Sequence, residues 1–163
     1  MITLGVDPGT AILGFGLIDG NVDPLLVDYG VIETQSTLPM PQRLKIVYER
    51  FSELLIRFTP NVIAVEQLFF ARNVTTAISV GQARGVILLA AAQAGITVFE
   101  YSPSAVKQAV VGYGKADKHQ IQEMVRLILG LELPPEPDDA ADALAIALCH
   151  AQTAQFLSRT GCD

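Results

Sequence analysis

Four acidic residues carry the chemistry that this chain can offer: Asp7, Glu66, Asp139 and Asp142. Asp7 ends the apolar run Ile2-Thr-Leu-Gly-Val and precedes the turn Pro8-Gly9, which places it at the C-terminal end of a buried strand. Glu66 ends a second apolar run, Val62-Ile-Ala-Val, and Leu68-Phe-Phe follows within one residue. An ionised carboxylate in such surroundings costs roughly several kcal/mol unless a cation compensates. A neighbouring arginine would serve, and so would a metal ion. Asp138, Asp139 and Asp142 open a helix whose continuation, Ala143-Leu-Ala-Ile-Ala-Leu148, must be buried. Asp142 therefore stands at the edge of the core, where an unneutralised carboxylate is costly. Spacing does not choose its partner, because residues three or four apart both share a helix face. Asp138 also suits the N-cap role.

Hard oxygen donors without a His or Cys cluster suit Mg²⁺ or Mn²⁺ rather than zinc. Four carboxylates can hold two such ions, roughly 3.5–4 Å apart in a two-metal arrangement. One ion would activate an attacking water, and both would stabilise charge on a phosphate. Without metal, crowded carboxylates repel and their pKa values rise, so metal should also stabilise the fold.

A surface for a polyanion is written between Gln67 and Lys118. Arg72, Arg84, Lys107, Lys115 and Lys118 stand there against only Glu100 and Asp117. Phe69, Phe70 and Tyr113 lie in the same stretch, and exposed aromatics beside cations stack on unpaired bases. The alternatives are that Phe69 or Phe70 fills the core and that Lys107 and Lys118 are solvated helix faces. His119 and His150 are lone histidines with ordinary surface or structural roles, although His119 adjoins Lys118 and could touch a phosphate.

The elements that must position these residues follow from hydrophobic period. Ile2 to Val6, Ile12 to Ile18 and Leu25 to Glu33 read as three strands joined by short turns, hence antiparallel. From Pro39 to Phe58 the apolar residues Leu44, Val47, Tyr48, Phe51, Leu54, Leu55 and Phe58 recur at helical steps. Val62 to Glu66 is then a strand reached through a helix, which makes it parallel to its neighbour. Asn73 to Ala94 is a second long helix, capped by Asn73 or Thr75, and apolar nearly all round. Such a helix is expected to be covered on two sides. A fifth strand spans Ile96 to Glu100. Helices follow from Ser102 to about Val111, from Asp117 to Leu129, and from Asp138 to about Phe156. The expected fold class is α/β, a five-stranded mixed sheet with helices on both faces. One domain over residues 1–156 and a short tail over 157–163 are expected.

Composition limits the alternatives. The chain has 163 residues, half of them hydrophobic, enough for one well-buried domain. Net charge is −6, which taken alone argues against nucleic acid, but distribution outweighs the sum. Cys149 and Cys162 form no disulfide framework or metal spacing and read as reduced thiols of a cytoplasmic protein.

These residues resemble the RuvC-type Holliday junction resolvases, on a ribonuclease H-like fold. The resemblance covers nearly the whole chain. It rests on Gly5-Val-Asp7-Pro-Gly9, Ala64-Val-Glu66-Gln-Leu-Phe69, Gly81-Gln-Ala-Arg84-Gly85, Val106-Lys107-Gln108, Val111-Gly112 and Asp139-Ala-Ala-Asp142-Ala-Leu-Ala. It implies a homodimeric, Mg²⁺-dependent endonuclease that nicks two strands of like polarity symmetrically across a four-way DNA junction. The ends would be 5′-phosphate and 3′-hydroxyl, sealed by ligase in recombination and repair. The resemblance selects Asp139 and Asp142 as the acidic pair and leaves Asp138 outside. It implies catalytic metal binding by Asp7, Glu66, Asp139 and Asp142, base stacking by Phe69, and catalysis or DNA contact by Lys107 and Lys118. The branch-migration proteins RuvA and RuvB are implied partners. Two departures stand: family members tend to be more basic and often carry a basic C-terminal extension, and Phe70 is a second aromatic beside Phe69.

Two other function classes compete. Actin-like or sugar-kinase-type phosphotransferases also begin with a strand, an acid and a glycine turn, but they need a second domain and a Gly-rich nucleotide site. A junction-binding module without catalysis gains nothing from a cluster of acids facing phosphates. Two equivalent cuts call for two equivalent sites, which a two-fold dimer supplies, and the helix from Asn73 to Ala94 is the expected interface.

Overall fold

A computed structural model describes residues 1–67 and 74–160. β1 (Ile2–Asp7), β2 (Ile12–Asp19) and β3 (Leu25–Glu33) form an antiparallel meander, as their short turns require. α1 (Met40–Phe58) carries the chain over to β4 (Val62–Glu66), which lies beside β1 and parallel to it. α2 (Val74–Gln93) leads to β5 (Thr97–Tyr101), parallel to β4. The sheet order is β3-β2-β1-β4-β5. α3 (Pro103–Val111), α4 (Lys118–Ile128) and α5 (Asp138–Thr160) complete the described chain. The expected mixed sheet is present, and β1 is its central strand.

Strand alternation divides the core in two. Leu4 and Val6 of β1, with Ile63 and Val65 of β4, face α1 and α2 and pack with Val47, Phe51, Ile87 and Ala91. On the other face, Ala64 joins Val106 and Val110 of α3, Ile121 and Val125 of α4, and Leu144 and Leu148 of α5. α5 is buried on nearly every side over residues 140–151, which explains its run of alanines.

That helix approaches the sheet closely because the strands beneath it lack side chains. Gly5 of β1 pairs directly with Gly16 of β2, and Asp7 pairs with Gly14. A Cβ on Gly5 would stand 2.0 Å from the Ala143 carbonyl oxygen, and one on Gly14 would stand 2.0 Å from that of Asp139. On Gly16 it would come within 2.6 Å of the Leu144 side chain. The three glycines thus form a trench that fixes both the depth and the line of α5.

Three expectations need correction. Among the described residues α2 is covered on one side, not two. Ala77, Ala83, Ile87, Ala90 and Ala91 are buried, whereas Val74, Ile78 and Leu89 are exposed. Asp138 does not cap α5 from outside. It lies in the first turn, and the Pro137 carbonyl accepts from the Ala140 and Ala141 amides. α5 also runs to Thr160, past the end expected near Phe156. Asn73, one candidate cap of α2, lies outside the described residues.

Candidate active site

β1 and β4 are parallel neighbours with Val6 opposite Val65. Their last residues, Asp7 and Glu66, therefore finish side by side. Since Val6 and Val65 face α1 and α2, Asp7 and Glu66 face α5. The first turn of α5 passes over Gly14, the cross-strand partner of Asp7, and brings Asp139 and Asp142 over the same sheet end.

The electrostatics register this convergence. The Asp7 carboxyl is pushed up to about 8, first by burial and then by Glu66, Asp142 and Asp139, with Lys118 opposing. Glu66 is raised by burial and by Asp142 against the pull of Lys107 and Lys118. Asp142 is raised by burial, with Asp138 and Asp139 adding and Lys118 and Lys107 opposing. Like charges held this close disfavour ionisation of one another. Among the described residues, no three His, Cys, Asp or Glu side chains stand close enough to hold an ion as they are placed. Glu66, Asp139 and Asp142 thus act on Asp7 through their charge from the same sheet end.

Lys118 sits at the rim. Its Nζ is 2.7 Å from an Asp138 oxygen and 3.9 Å from one of Asp142. The hydrogen bond to Asp138 raises the Lys118 pKa and lowers that of Asp138. Asp138 is therefore an anchor for Lys118, which spacing alone could not separate from a role beside Asp142. Lys107, on α3, is half-buried and acts on both Glu66 and Asp142. Lys115 and Tyr113 are exposed on the turn between α3 and α4. His119 joins Lys118, Gln122, Glu136 and Asp138 along an open cleft beside the acids.

The structure does not bring Arg84 to this group. It lies on α2, and its guanidinium is 2.5 Å from Glu100 of β5. Glu100 pairs with Val65, so both point to the sheet face away from Asp7. Its cation is already engaged, which charge counting along the sequence could not detect. Phe69, Phe70 and Arg72 lie outside the described residues. Sequence reading missed the glycine trench, although Gly14-Phe15-Gly16 places two bare positions on one face of a strand.

Lys118 is the first residue of α4, and its station depends on the cap before it. The Asp117 carboxylate accepts from the Gln120 amide at 2.8 Å, and the Gln120 side chain accepts from the Asp117 amide at 2.9 Å. This is a complete capping box. Asp117→Ala should lower stability by about 1 kcal/mol, read as a fall in the urea midpoint at unchanged slope.

The sequence profile of the family described as crossover junction endodeoxyribonuclease RuvC matches residues 3–150. A relative of that name from Desulfitobacterium hafniense is 57% identical over 162 residues, covering 99% of this chain and 98% of its own. One from Chloroflexus aggregans is 58% identical over 162 residues, covering 99% of each. The solved structure of Thermus thermophilus RuvC in complex with Holliday junction substrate superposes with a TM-score of 0.90 at 42% identity, covering 96% of each chain. A family match over residues 3–150, relatives more than half identical along nearly the whole chain and a closely superposing solved structure agree, and the chain belongs to the RuvC family of crossover junction endodeoxyribonucleases, on the ribonuclease H-like fold.

Proposed function

We propose that this protein is a divalent-metal-dependent endodeoxyribonuclease that resolves four-way DNA junctions in the cytoplasm during recombination and repair. It makes symmetric paired nicks in strands of like polarity and leaves 5′-phosphate and 3′-hydroxyl ends. The observation that carries this reading is the meeting of Asp7 and Glu66 with the α5 turn bearing Asp139 and Asp142. A junction-bound relative of the same fold supports the choice of substrate.

Asp7, Glu66, Asp139 and Asp142 would hold Mg²⁺, with Mn²⁺ able to replace it, and their number allows two ions. The donor set fits: every ligand is a hard oxygen, and the mutual repulsion that raises Asp7 is what a divalent cation relieves. When bound, the metal activates water and stabilises charge on the phosphate. The protein's own part is positional. β1 and β4 hold two carboxylates on a rigid sheet, and α5 holds the other two. Lys107 and Lys118 offset negative charge that would otherwise repel a phosphodiester. The acidic whole chain is compatible with DNA because Lys107 and Lys118 stand at the acids themselves, where the phosphate must approach.

The protein acts as a homodimer through the exposed face of α2. Ile78, Gly85 and Leu89 lie one or two turns apart on that face, and nothing within 4 Å would meet a Cβ on Gly85. By length and composition α2 could instead cross a membrane, but its other face packs on the sheet and Arg84 is ion-paired there. Leu89→Glu should convert a dimer of twice 17.5 kDa into monomers and abolish paired nicking, since a buried charge at such a seam costs several kcal/mol, about 3 or more. Sedimentation at micromolar concentration checks this, and a monomeric wild-type protein would sink the dimer. RuvA and RuvB remain the partners that family resemblance implies.

The reading is tested with a synthetic four-way junction in Mg²⁺. Nicks at symmetric positions in opposed arms are expected, with linear duplex spared. Intact junction under these conditions would overturn it.

A further inference from the structure

The turn after Asp7 is held from two sides by hydroxyl groups that the acidic site does not use. Thr10, 6% exposed, lies on that turn. Its Oγ1 is 2.5 Å from the Oγ of Ser79 on α2. Its carbonyl oxygen accepts from the Thr34 hydroxyl at 2.5 Å, and Thr34 Oγ1 in turn accepts from Arg43 Nε of α1 at 2.8 Å. The Thr34 amide donates to the Ala11 carbonyl at 3.0 Å. The turn itself is tight, since a Cβ on Gly9 would stand 2.1 Å from the Ile12 carbonyl oxygen. Arg43 thus reaches the Thr10 carbonyl through the Thr34 hydroxyl while Ser79 bonds the Thr10 hydroxyl, so Thr10 is tied to both helices of the far face. The pair is part-buried, and replacing both of its partners by apolar groups of the same shape can be nearly neutral for stability.

We propose that Thr10 and Ser79 are positioning residues: their hydroxyl pair fixes the turn behind Asp7 to α2, and so sets where the Asp7 carboxylate stands. The inference rests on the reading of Asp7 as a metal ligand. Neither hydroxyl touches the reacting atoms. Each acts through the backbone that leads out of β1. A carboxylate that must meet an ion within a few tenths of an ångström is sensitive to this restraint, because small misplacements in a reactive site have large effects on rate. α2 is also the helix whose exposed face is offered to a second copy, so the same bond links that face to the Asp7 turn.

The test compares wild type, Ser79→Ala, Ser79→Thr, Thr10→Val and the double variant Thr10→Val/Ser79→Ala. Two quantities are read: junction nicking resolved into kcat and KM, and Mn²⁺ affinity by calorimetry without DNA. Ser79→Ala and Thr10→Val should each lower kcat about tenfold and weaken Mn²⁺ binding about fivefold, with KM for the junction unchanged. Those factors are what the loss of one hydrogen bond and a slight displacement of the carboxylate would give. The double variant should be no worse than Thr10→Val alone, since the two hydroxyls act as one unit. Ser79→Thr should restore both readings. Circular dichroism confirms folding, and if Thr10→Val is unfolded the Ser79 pair of variants decides. Wild type that binds Mn²⁺ and nicks, with Ser79→Ala matching it in Mn²⁺ affinity, overturns the positioning role alone. Losses that multiply in the double variant overturn it as well. Wild type that fails to bind Mn²⁺ overturns the metal-nuclease reading and this inference with it.

Discussion

Asp7→Asn should abolish junction nicking in Mg²⁺ while raising the melting temperature of the metal-free protein. The loss of activity should be about a thousandfold or more, the rate equivalent of about 4 kcal/mol of charge stabilisation. The gain in stability has a separate origin. Asp7 lies among Glu66, Asp142 and Asp139 in a largely buried place, and its pKa is raised to about 8. Its ionised form therefore destabilises the fold by an amount on the order of a few kcal/mol. An amide fits the same space without charge, and Tm should rise by several degrees. Retained nicking in this variant would remove Asp7 from the site. A lower metal-free Tm would remove the electrostatic account of its burial.

The pH dependence of the metal-free protein follows from the same shift. A carboxyl with a native pKa near 8 keeps a proton that the unfolded chain releases near its ordinary value of 3.8. Its contribution is complete at low pH and is lost as pH rises through about 8. Glu66 and Asp142, also raised, act in the same direction. His150 acts in the opposite one. Burial lowers its pKa below 6.5, so its contribution is lost as pH falls below that value. Asp138 is lowered by its bond to Lys118 and matters only below the ordinary carboxylate range. Among the described residues Asp7 is the shifted group whose value lies at the top of the window from pH 6.5 to 8, and metal-free Tm should fall there with rising pH. Asp7→Asn should flatten that fall. Divalent metal, by displacing the proton, should oppose it, and the Mg²⁺ requirement should grow as pH drops from 8 toward 6.5.

The acids were legible in the sequence for a physical reason. Asp7 and Glu66 each end an apolar run, and a carboxylate in that setting demands compensation. The five strands were legible too, since β-branched alternation and short turns declare them, and Ser102 and Asp117 cap α3 and α4 as their side chains suggest. What could not be read was placement that depends on contact between distant segments. Asp138 and Asp139 are indistinguishable by spacing, and only the arrival of Lys118 from α4 gives Asp138 its own partner. Arg84 looked like a free cation because Glu100 lies on a different element. The exposure of α2 was misjudged because an all-round apolar helix says that it is covered, not whether the cover comes from its own chain. Thr10 and Ser79 are ordinary residues until the turn and the helix meet.

The glycine trench yields the second large effect. Gly14→Ala should reduce nicking about a hundredfold or more at a stability cost of only about 1–3 kcal/mol, the usual range for overpacking. The new Cβ would meet the Asp139 carbonyl oxygen, its carbon and the Ala140 amide nitrogen, at 2.0, 2.5 and 3.2 Å. These are backbone atoms, so no rotamer change relieves the clash. The first turn of α5 must lift away from β2 and carry Asp139 and Asp142 with it. A displacement near 1 Å is enough for a loss of about that size. Gly5→Ala presses on the middle of the same helix, against the Ala143 carbonyl and the Ala147 amide nitrogen at 2.0 and 2.7 Å. There α5 is buried all round and cannot lift at one end. The whole helix must shift, and stability should fall by more than for Gly14→Ala, about 3 kcal/mol or beyond. The pair therefore separates two roles of one trench: Gly14 sets the acids, and Gly5 sets the helix. Urea melts and nicking rates on both variants measure the contrast. Equal activity losses that track stability alone would mean that the trench serves packing only.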